Sequence, residues 1–381
     1  MPIRVANITI EGRWGGPQKR ILEIANQLKL NNEIELTVIF PNGRDSSFFR
    51  QRLEKDNIHF IETRLSRPQR SWYKIIQFLF FFIFEVFNLA KILKQNRIDI
   101  IHCNGIWQIQ GIIAGILARK KIVWHMNDTY DVGFFRFFLF LIGGGVSAFC
   151  VSANRVRDIY LNKYFLRKKP VYLIRPPVDT IKLSGISSVN TSDNPGKITV
   201  GTLCNINPVK DLDLFVDIAE LLSRSEGAYF KFILAGPIFE SQLKYGTGVL
   251  ERIRAIKQKG VDIEYIGEVS DAMEFYKKID IFLCTSLYES GPMTVFEAMS
   301  MRKAVVTSDV GDLKNIIADG VDGFVIQDRN PESFAEKILM LGRNKKLLKD
   351  FGQKAREKAV KDLDVRVCAL KHVEMYKALV F

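Results

Sequence analysis

The chain has 381 residues, 47% of them apolar and 25% charged, a make-up that belongs to a folded globular protein and excludes a disordered one. That length is too great for one ordinary core and suits two domains of roughly 150 to 200 residues each. The net charge of +13 is uneven: residues 1 to 195 carry 28 lysines and arginines against 15 acidic residues, whereas residues 196 to 381 carry 27 of each.

Such a field attracts nucleic acid, but there is no zinc-finger spacing, RNP-like aromatic motif or helix-turn-helix pattern to read bases. An anionic membrane surface or a phosphorylated acceptor is the expected partner instead, because the basic half also holds unusual aromatic runs. The cysteines at 103, 150, 204, 284 and 368 form no C-x-x-C pair, so free thiols in a reducing compartment are expected. Met-Pro-Ile-Arg-Val runs straight into a strand-like segment, so no signal peptide is expected either.

Arg4 to Ile10 reads as a first buried strand, and Gly15-Gly16-Pro17 then leads into a helix with Ile21, Leu22, Ile24, Ala25 and Leu28 on its apolar face. A glycine pair at a strand-to-helix turn lets the backbone approach a ligand closely, although glycine also serves there merely as a permissive residue. Glu35 to Phe40 and Ile58 to Ile61 read as further strands around a short helix, which starts a β-α-β-α alternation and a parallel sheet.

Residues 75 to 93 come nearest to a membrane span, but Gln77, Glu85, Asn88 and Lys91 interrupt them, so a crossing is not expected. Two readings stay open. One is a crossover helix buried against the sheet; the other is a helix whose outer aromatic face enters a membrane interface, flanked by Arg64, Arg67, Arg70 and Lys74 before it and Lys91, Lys94 and Arg97 after it. The run Phe134 to Phe140 adds to the surface aromatics.

Ile98 to His102 and Lys121 to His125 read as strands that each end in a histidine, where ligand sites of open parallel sheets lie. Asn127 and Asp128 stand ready to orient the His125 ring, and no metal site is expected because no H-x-x-x-H spacing on a helix supports one. Val146 to Val151 and Val171 to Ile174 close the first domain, and Ser184 to Gly196 reads as a linker. A second alternation follows, with strands at Ile198–Leu203, Phe230–Gly236, Glu264–Ile266, Ile281–Cys284, Ala304–Thr307 and Phe324–Ile326, then helix to the end. The expected domains are 1–183 and 197–362, with 363–381 a helix that packs back on the first.

The stretch Glu289-Ser-Gly-Pro-Met-Thr-Val-Phe-Glu297 after the Ile281 strand reads as a turn and a helix start at Pro292. On one helix, residues eight apart would lie about 80° apart, so Glu289 is placed in the turn and Glu297 inside the helix. The amides of Gly291, Met293 and Thr294 then face a phosphate, with a carboxylate on each side for sugar hydroxyls.

The glycine pair, the Lys210 loop and the ordered set from Ser286 to Gly323 resemble the retaining glycosyltransferases of GT-B fold, family 4 group (glycosyl transferases group 1). The resemblance spans nearly the whole chain. It implies an α/β fold of two doubly wound Rossmann-like domains facing across a cleft, with the C-terminal helix crossing back to the first. It also implies that Glu297 binds the ribose of a nucleotide sugar and Glu289 the sugar hydroxyls, with the turn near Glu268 and Val269 a candidate contact for the base. Gly15, Gly16, Gly291, Pro292, Met293 and Thr294 would hold the diphosphate, Lys210 would neutralise it as the bond breaks, and His125 would stand beside the reacting carbon.

The departure from the family is Asn205, which stands where many relatives carry an arginine and supplies hydrogen bonds but no charge unless Arg13, Lys19 or Arg20 compensates. The implied activity is metal-independent, retaining transfer of a sugar from a nucleotide sugar, a UDP-sugar favoured, to a glycan or lipid-linked acceptor in surface polysaccharide or glycolipid synthesis. The donor is a substrate, so no cofactor is expected; the place is the cytoplasm or the cytoplasmic membrane face. The alternatives are a non-catalytic nucleotide-sugar-binding scaffold and a sugar-nucleotide epimerase.

Overall fold

The computed structural model describes residues 1–67, 72–127, 141–161, 168–184, 196–226 and 229–381. The Phe134 to Phe140 run, Asp128, Arg70, the Lys74 side chain and residues 185–195 of the expected linker lie outside the described residues. Two compact units result: Met1–Pro177 with Val365–Phe381, and Val178–Asp364.

The first unit runs β1 (Ile3–Thr9), α1 (Gly16–Lys29), β2 (Ile34–Pro41), α2 (Ser47–Lys55), β3 (Phe60–Thr63), α3 (Trp72–Gln95), β4 (Ile100–Asn104), α4 (Ile109–Ala118), β5 (Lys121–Met126), β6 (Ala148–Val151), α5 (Asn154–Tyr160) and β7 (Val171–Leu173). The second runs β8 (Ile198–Leu203), α6 (Leu212–Glu226), β9 (Phe230–Ala235), α7 (Leu243–Gln258), β10 (Ile263–Tyr265), α8 (Ala272–Lys277), β11 (Ile281–Cys284), α9 (Met293–Ser300), β12 (Ala304–Ser308), α10 (Leu313–Ile316), β13 (Phe324–Ile326), α11 (Pro331–Arg343) and α12 (Lys345–Asp362). The last helix, α13 (Val365–Val380), belongs to the first unit.

Both sheets are parallel, in the orders β3-β2-β1-β4-β5-β6-β7 and β10-β9-β8-β11-β12-β13. Helices cover both faces, which is why β4, β8, β11 and β12 are buried at every position and are mainly apolar, β11 throughout. Strand order reverses between β1 and β4 in one unit and between β8 and β11 in the other. A crevice at the carboxyl ends of those strands is where such sheets take ligands.

Helix α13 returns as expected: Val365, Cys368, Val373, Met375 and Tyr376 pack with Ile3, Val5, Ile24, Ile100 and Val123. The units divide at Pro177/Val178, earlier than residue 183. The reason is that Val178 N–H donates to the Leu363 carbonyl at 2.8 Å, and Thr180 binds the buried Asp364, which ties 178–180 to the second unit. Strand β4 also runs two residues beyond His102, so this histidine lies inside the sheet.

Helix α3 divides the two readings left open for it. Its C-terminal half buries Val86, Leu89, Ala90 and Leu93 in the core of the first unit. Its outer face is turned outward, with Ile76, Leu79, Phe80, Ile83, Phe84 and Phe87 each 58–64% exposed. Ile75–Gln95 is long and apolar enough to cross a membrane by length and composition. Of the four polar interruptions, Glu85 is buried and accepts from Ser66 N–H at 3.0 Å and Ser66 Oγ at 2.8 Å, and Asn88 donates to Thr63 Oγ1 at 2.9 Å, whereas Gln77 and Lys91 are exposed.

Candidate active site

In the second unit the loops after β8 and β11 are stapled together at the reversal point. After β8, a single 3₁₀ turn, Pro208–Lys210, forms because Pro208 supplies a fixed φ and Asn207 Oδ1 accepts from Val209 N–H at 3.0 Å. Leu287 N–H then donates to the Val209 carbonyl at 2.7 Å, and Thr285 Oγ1 donates to the Lys210 carbonyl at 2.9 Å. The result sets the Lys210 ammonium against the Glu289 carboxylate, which also accepts from Ser286 Oγ at 3.1 Å. Burial works against the charge on Lys210, but the Glu289 carboxylate outweighs it and raises the ammonium above its ordinary range.

Arg329, just past β13, braces this arrangement and was not legible in the sequence. Its guanidinium pairs with Asp211 and donates to the carbonyls of Thr285 at 2.8 Å and Ser286 at 3.3 Å. Asp211 sits in the left-handed region, φ +44°, directly after Lys210. Gly311, at φ +59°, lies so close to the same turn that a Cβ there would come 3.2 Å from the Glu289 carbonyl oxygen and 3.1 Å from that of Ser290.

Helix α9 begins where expected: the Pro292 carbonyl accepts from Val295 N–H at 3.0 Å and Phe296 N–H at 3.3 Å, and no side chain caps the start. The first-turn amides, Met293 and Thr294 among them, have no acceptor within a helix, which leaves them for a ligand. Glu297 lies inside the helix and is buried, with its Oε2 accepting from Tyr276 Oη at 2.9 Å. Lys210, Glu289 and the Gly291–Thr294 turn are therefore brought together. Val269 follows β10, half-buried against Ile266 and Met273's core cluster at the sheet edge, and Asn205 is exposed on the loop before the 3₁₀ turn.

In the first unit, Gly15 and Gly16 open α1, Gly15 in an extended conformation as its N-cap. One turn on, the buried Arg20 donates to His125 Nε2 at 3.2 Å, Asn127 Oδ1 at 2.6 Å and Asn104 Oδ1 at 2.8 Å. A guanidinium cannot accept, so His125 carries its proton on Nδ1 and donates it to His102 Nε2 at 2.9 Å. His102 in turn donates from Nδ1 to Tyr376 Oη at 2.8 Å. Burial, then the Arg20 charge, push His125 well below its usual range; burial, then His372 and Arg20, do the same for His102.

His125 is thus buried with both ring nitrogens engaged, and its ring is oriented by Arg20 and His102; Asn127 binds Arg20 instead. His372 joins them from α13, its ligand nitrogen within 4.8 Å of those of His102 and His125. The three could geometrically hold a metal ion, but the His125 and His102 lone pairs already accept hydrogen bonds and the nearby charge is the positive Arg20. The set fits a neutral hydrogen-bonded chain better than a cation. Arg20 is engaged within the first unit, and Lys19 faces Glu23 at 4.0 Å.

The family described as Glycosyl transferases group 1 matches residues 188–358, and Glycosyltransferase Family 4 matches residues 14–182. The chain belongs to the group 1 glycosyltransferases of GT-B fold. The poly(ribitol-phosphate) alpha-N-acetylglucosaminyltransferase of Staphylococcus aureus is 27% identical over 184 residues, 47% of this chain but 35% of that one. An N,N'-diacetylbacillosaminyl-diphospho-undecaprenol alpha-1,3-N-acetylgalactosaminyltransferase of Campylobacter jejuni is 29% identical over 118 residues, 31% of each chain. The matches thus span 35% and 31% of these two relatives. Among solved structures, a glycosyltransferase of Rickettsia africae superposes with a TM-score of 0.83 at 18% identity, covering 100% of this chain and 99% of that one. HepE of Anabaena in complex with UDP does so at 0.80 and 16%, covering 99% and 100%. These two show the fold.

Proposed function

We propose that the protein is a retaining glycosyltransferase. It moves a sugar from a nucleotide-sugar donor, a UDP-sugar by preference, to a glycan or lipid-linked acceptor at the cytoplasmic face of a membrane, in surface polysaccharide or glycolipid synthesis. The observation that carries this reading is the Lys210–Glu289 pair beside the uncapped start of α9, at the reversal point of the second sheet.

The chemistry follows from what these groups offer. The donor's diphosphate takes the α9 amides and exchanges Glu289 for itself as the partner of Lys210. Glu289, released from the ammonium, accepts from hydroxyls of the sugar. As the bond between the anomeric carbon and the phosphate oxygen breaks, negative charge grows on that oxygen and Lys210 stabilises it more in the transition state than in the ground state. The acceptor oxygen attacks from the same face, forms the new glycosidic bond with retention, and gives its proton to the departing phosphate. Lys210 and the amides supply the counter-charge, so no divalent metal is required. Glu297, held by Tyr276, binds the ribose, and His125 acts by fixing Arg20 and Asn127 at the end of β5.

The solved complexes of HepE with UDP and with UDP-glucose support the donor class. The names of the two relatives, a polymer of ribitol phosphate in one and a diphospho-undecaprenol in the other, support a phosphate-bearing acceptor. A binding-only scaffold is the second reading, favoured by Asn205, which is exposed where a second cation would stand. Incubation of the purified protein with a panel of nucleotide sugars, with EDTA present, separates the two. Sugar release or transfer with retained anomeric configuration is expected; folded protein that binds donor but turns none over rejects the enzyme reading.

A further inference from the structure

Within the first unit, at the carboxyl ends of β1, β2 and β3, lies a hollow of about 830 Å³ that the donor chemistry does not use. Four arginines line it: Arg13 after β1, Arg44 after β2, and Arg64 and Arg67 after β3, with Glu11 and Asp45 the acidic residues among them. Its far wall is aromatic, formed by Phe78 and Phe81 of α3. Glu85 fixes the arginine segment to that helix through Ser66 and faces Arg64 Nε at 3.4 Å, while the Arg64 guanidinium lies 3.4 Å from the centroid of the Phe81 ring. Arg67 meets Glu11 at 3.1 Å, and both stay open to solvent.

The aromatic wall is continuous with the exposed face of α3. The Phe80 ring stands 5.2 Å from Phe81, in the wall, and 5.9 Å from Phe84, on the outer stripe. A cationic hollow that opens beside an exposed apolar stripe matches one kind of molecule, a phosphorylated head carried on a hydrocarbon tail. Arginine forks suit the oxygens of a phosphate, and the stripe suits the interfacial layer of a bilayer. A soluble phosphorylated ligand would account for the arginines and leave the stripe unexplained.

We propose that this hollow binds the phosphate or diphosphate of a lipid-anchored acceptor, with the outer face of α3 seated in the membrane that holds the lipid. The proposal rests on the glycosyltransferase reading, whose acceptor it specifies, but it concerns residues outside the donor machinery.

Flotation with three kinds of vesicle tests it: phosphatidylcholine alone, phosphatidylcholine with phosphatidylglycerol, and phosphatidylcholine with a polyprenyl diphosphate at equal total charge. The wild-type chain is expected to bind the diphosphate vesicles at least tenfold more tightly than the charge-matched ones, and inorganic pyrophosphate is expected to remove that excess alone. Arg13→Ala, Arg44→Ala and Arg67→Ala together should abolish the preference while leaving charge-matched binding, and the corresponding lysine variant should restore part of it. Phe80→Ser with Phe84→Ser should lose all three vesicles. No preference in the wild type, or full preference in the folded alanine variant, overturns the site. UDP binding measured on the same preparations keeps the two claims apart: its absence strikes the donor reading, whereas its presence without vesicle preference strikes the acceptor site alone.

Discussion

Lys210 and Glu289, 79 residues apart in sequence, are each other's ion partner where the loops after β8 and β11 adjoin. Neither is fully in solvent, with side chains 22% and 16% exposed, so each holds the other's charge in place until a ligand arrives. Removal of either one strands the other. Lys210→Ala should therefore cost stability on the order of 1–3 kcal/mol, and Lys210→Ala with Glu289→Ala should recover part of that loss. Transfer should fall at least a hundredfold in both variants and in Glu289→Ala alone, because stability and chemistry use the pair differently. Thermal melting alongside initial rates reads both; a double variant that regains activity would remove the assigned roles.

Arg329 touches both loops of the site without standing among the expected donor contacts. Arg329→Ala releases Asp211 and the carbonyls of Thr285 and Ser286. The Lys210 turn then loses its brace, and the Michaelis constant for donor should rise roughly tenfold, about 1.4 kcal/mol. Arg329→Lys should fare little better, since one ammonium cannot reproduce a fork that serves three oxygens. Steady-state kinetics over a donor series decide this, and an unchanged constant in both variants counts against a positioning role.

Gly311 offers a sharper probe of the Glu289 turn because it adds atoms rather than removing them. At φ +59° with two carbonyl oxygens 3.1 and 3.2 Å from a would-be Cβ, Gly311→Ala meets both backbone strain and crowding. The expected cost is about 1–2 kcal/mol of stability, with weaker donor binding as Glu289 is pushed out of place. Calorimetric titration with UDP and with UDP-glucose should show the larger loss for the sugar nucleotide, because Glu289 serves the sugar.

The buried histidines make the first unit sensitive to acid. An unfolded histidine takes up a proton near pH 6.5, whereas burial holds His102 and His125 well below that and brings His372 to about 4. Below pH 6.5 the unfolded chain thus binds more protons than the folded one, and stability falls as pH falls; above it, these groups contribute a constant amount. His372 alone accounts for about 2 kcal/mol lost by pH 5. Melting curves from pH 7.5 to 5 should show this decline, and His372→Gln should make it shallower by the share that His372 contributes.

Most of the architecture was legible because parallel strands buried on both faces leave continuous apolar runs, and β8, β11 and β13 match the expected bounds to the residue. The Glu289 to Glu297 element was legible for a similar reason: its turn, proline and helix are local. Arg329, Tyr276 and Gly311 were not, since each reaches the site by strand order, which no local pattern records. His372 and Tyr376 were hidden by the return of the last helix across the whole chain, although the expected return placed that helix on the first unit. His102 was misread as a strand end because the apolar run pauses there while the ladder continues to Asn104. Glu85 and Asn88 argued against a membrane span, but only the structure shows that Asn88 holds the end of β3 and Glu85 the segment after it.

The inverted polarity of α3 has a practical side. The exposed apolar side chains Phe80, Phe84 and Phe87 support little of the fold, whereas Glu85 and Asn88 tie the helix to Ser66 and Thr63. Solubility and folding are therefore set by different residues of one helix. Polar replacements at Phe80, Phe84 and Phe87 would remove exposed apolar surface without touching the core, while a hydrophobic replacement at Glu85 would leave the helix greasier and the chain beside it unfastened.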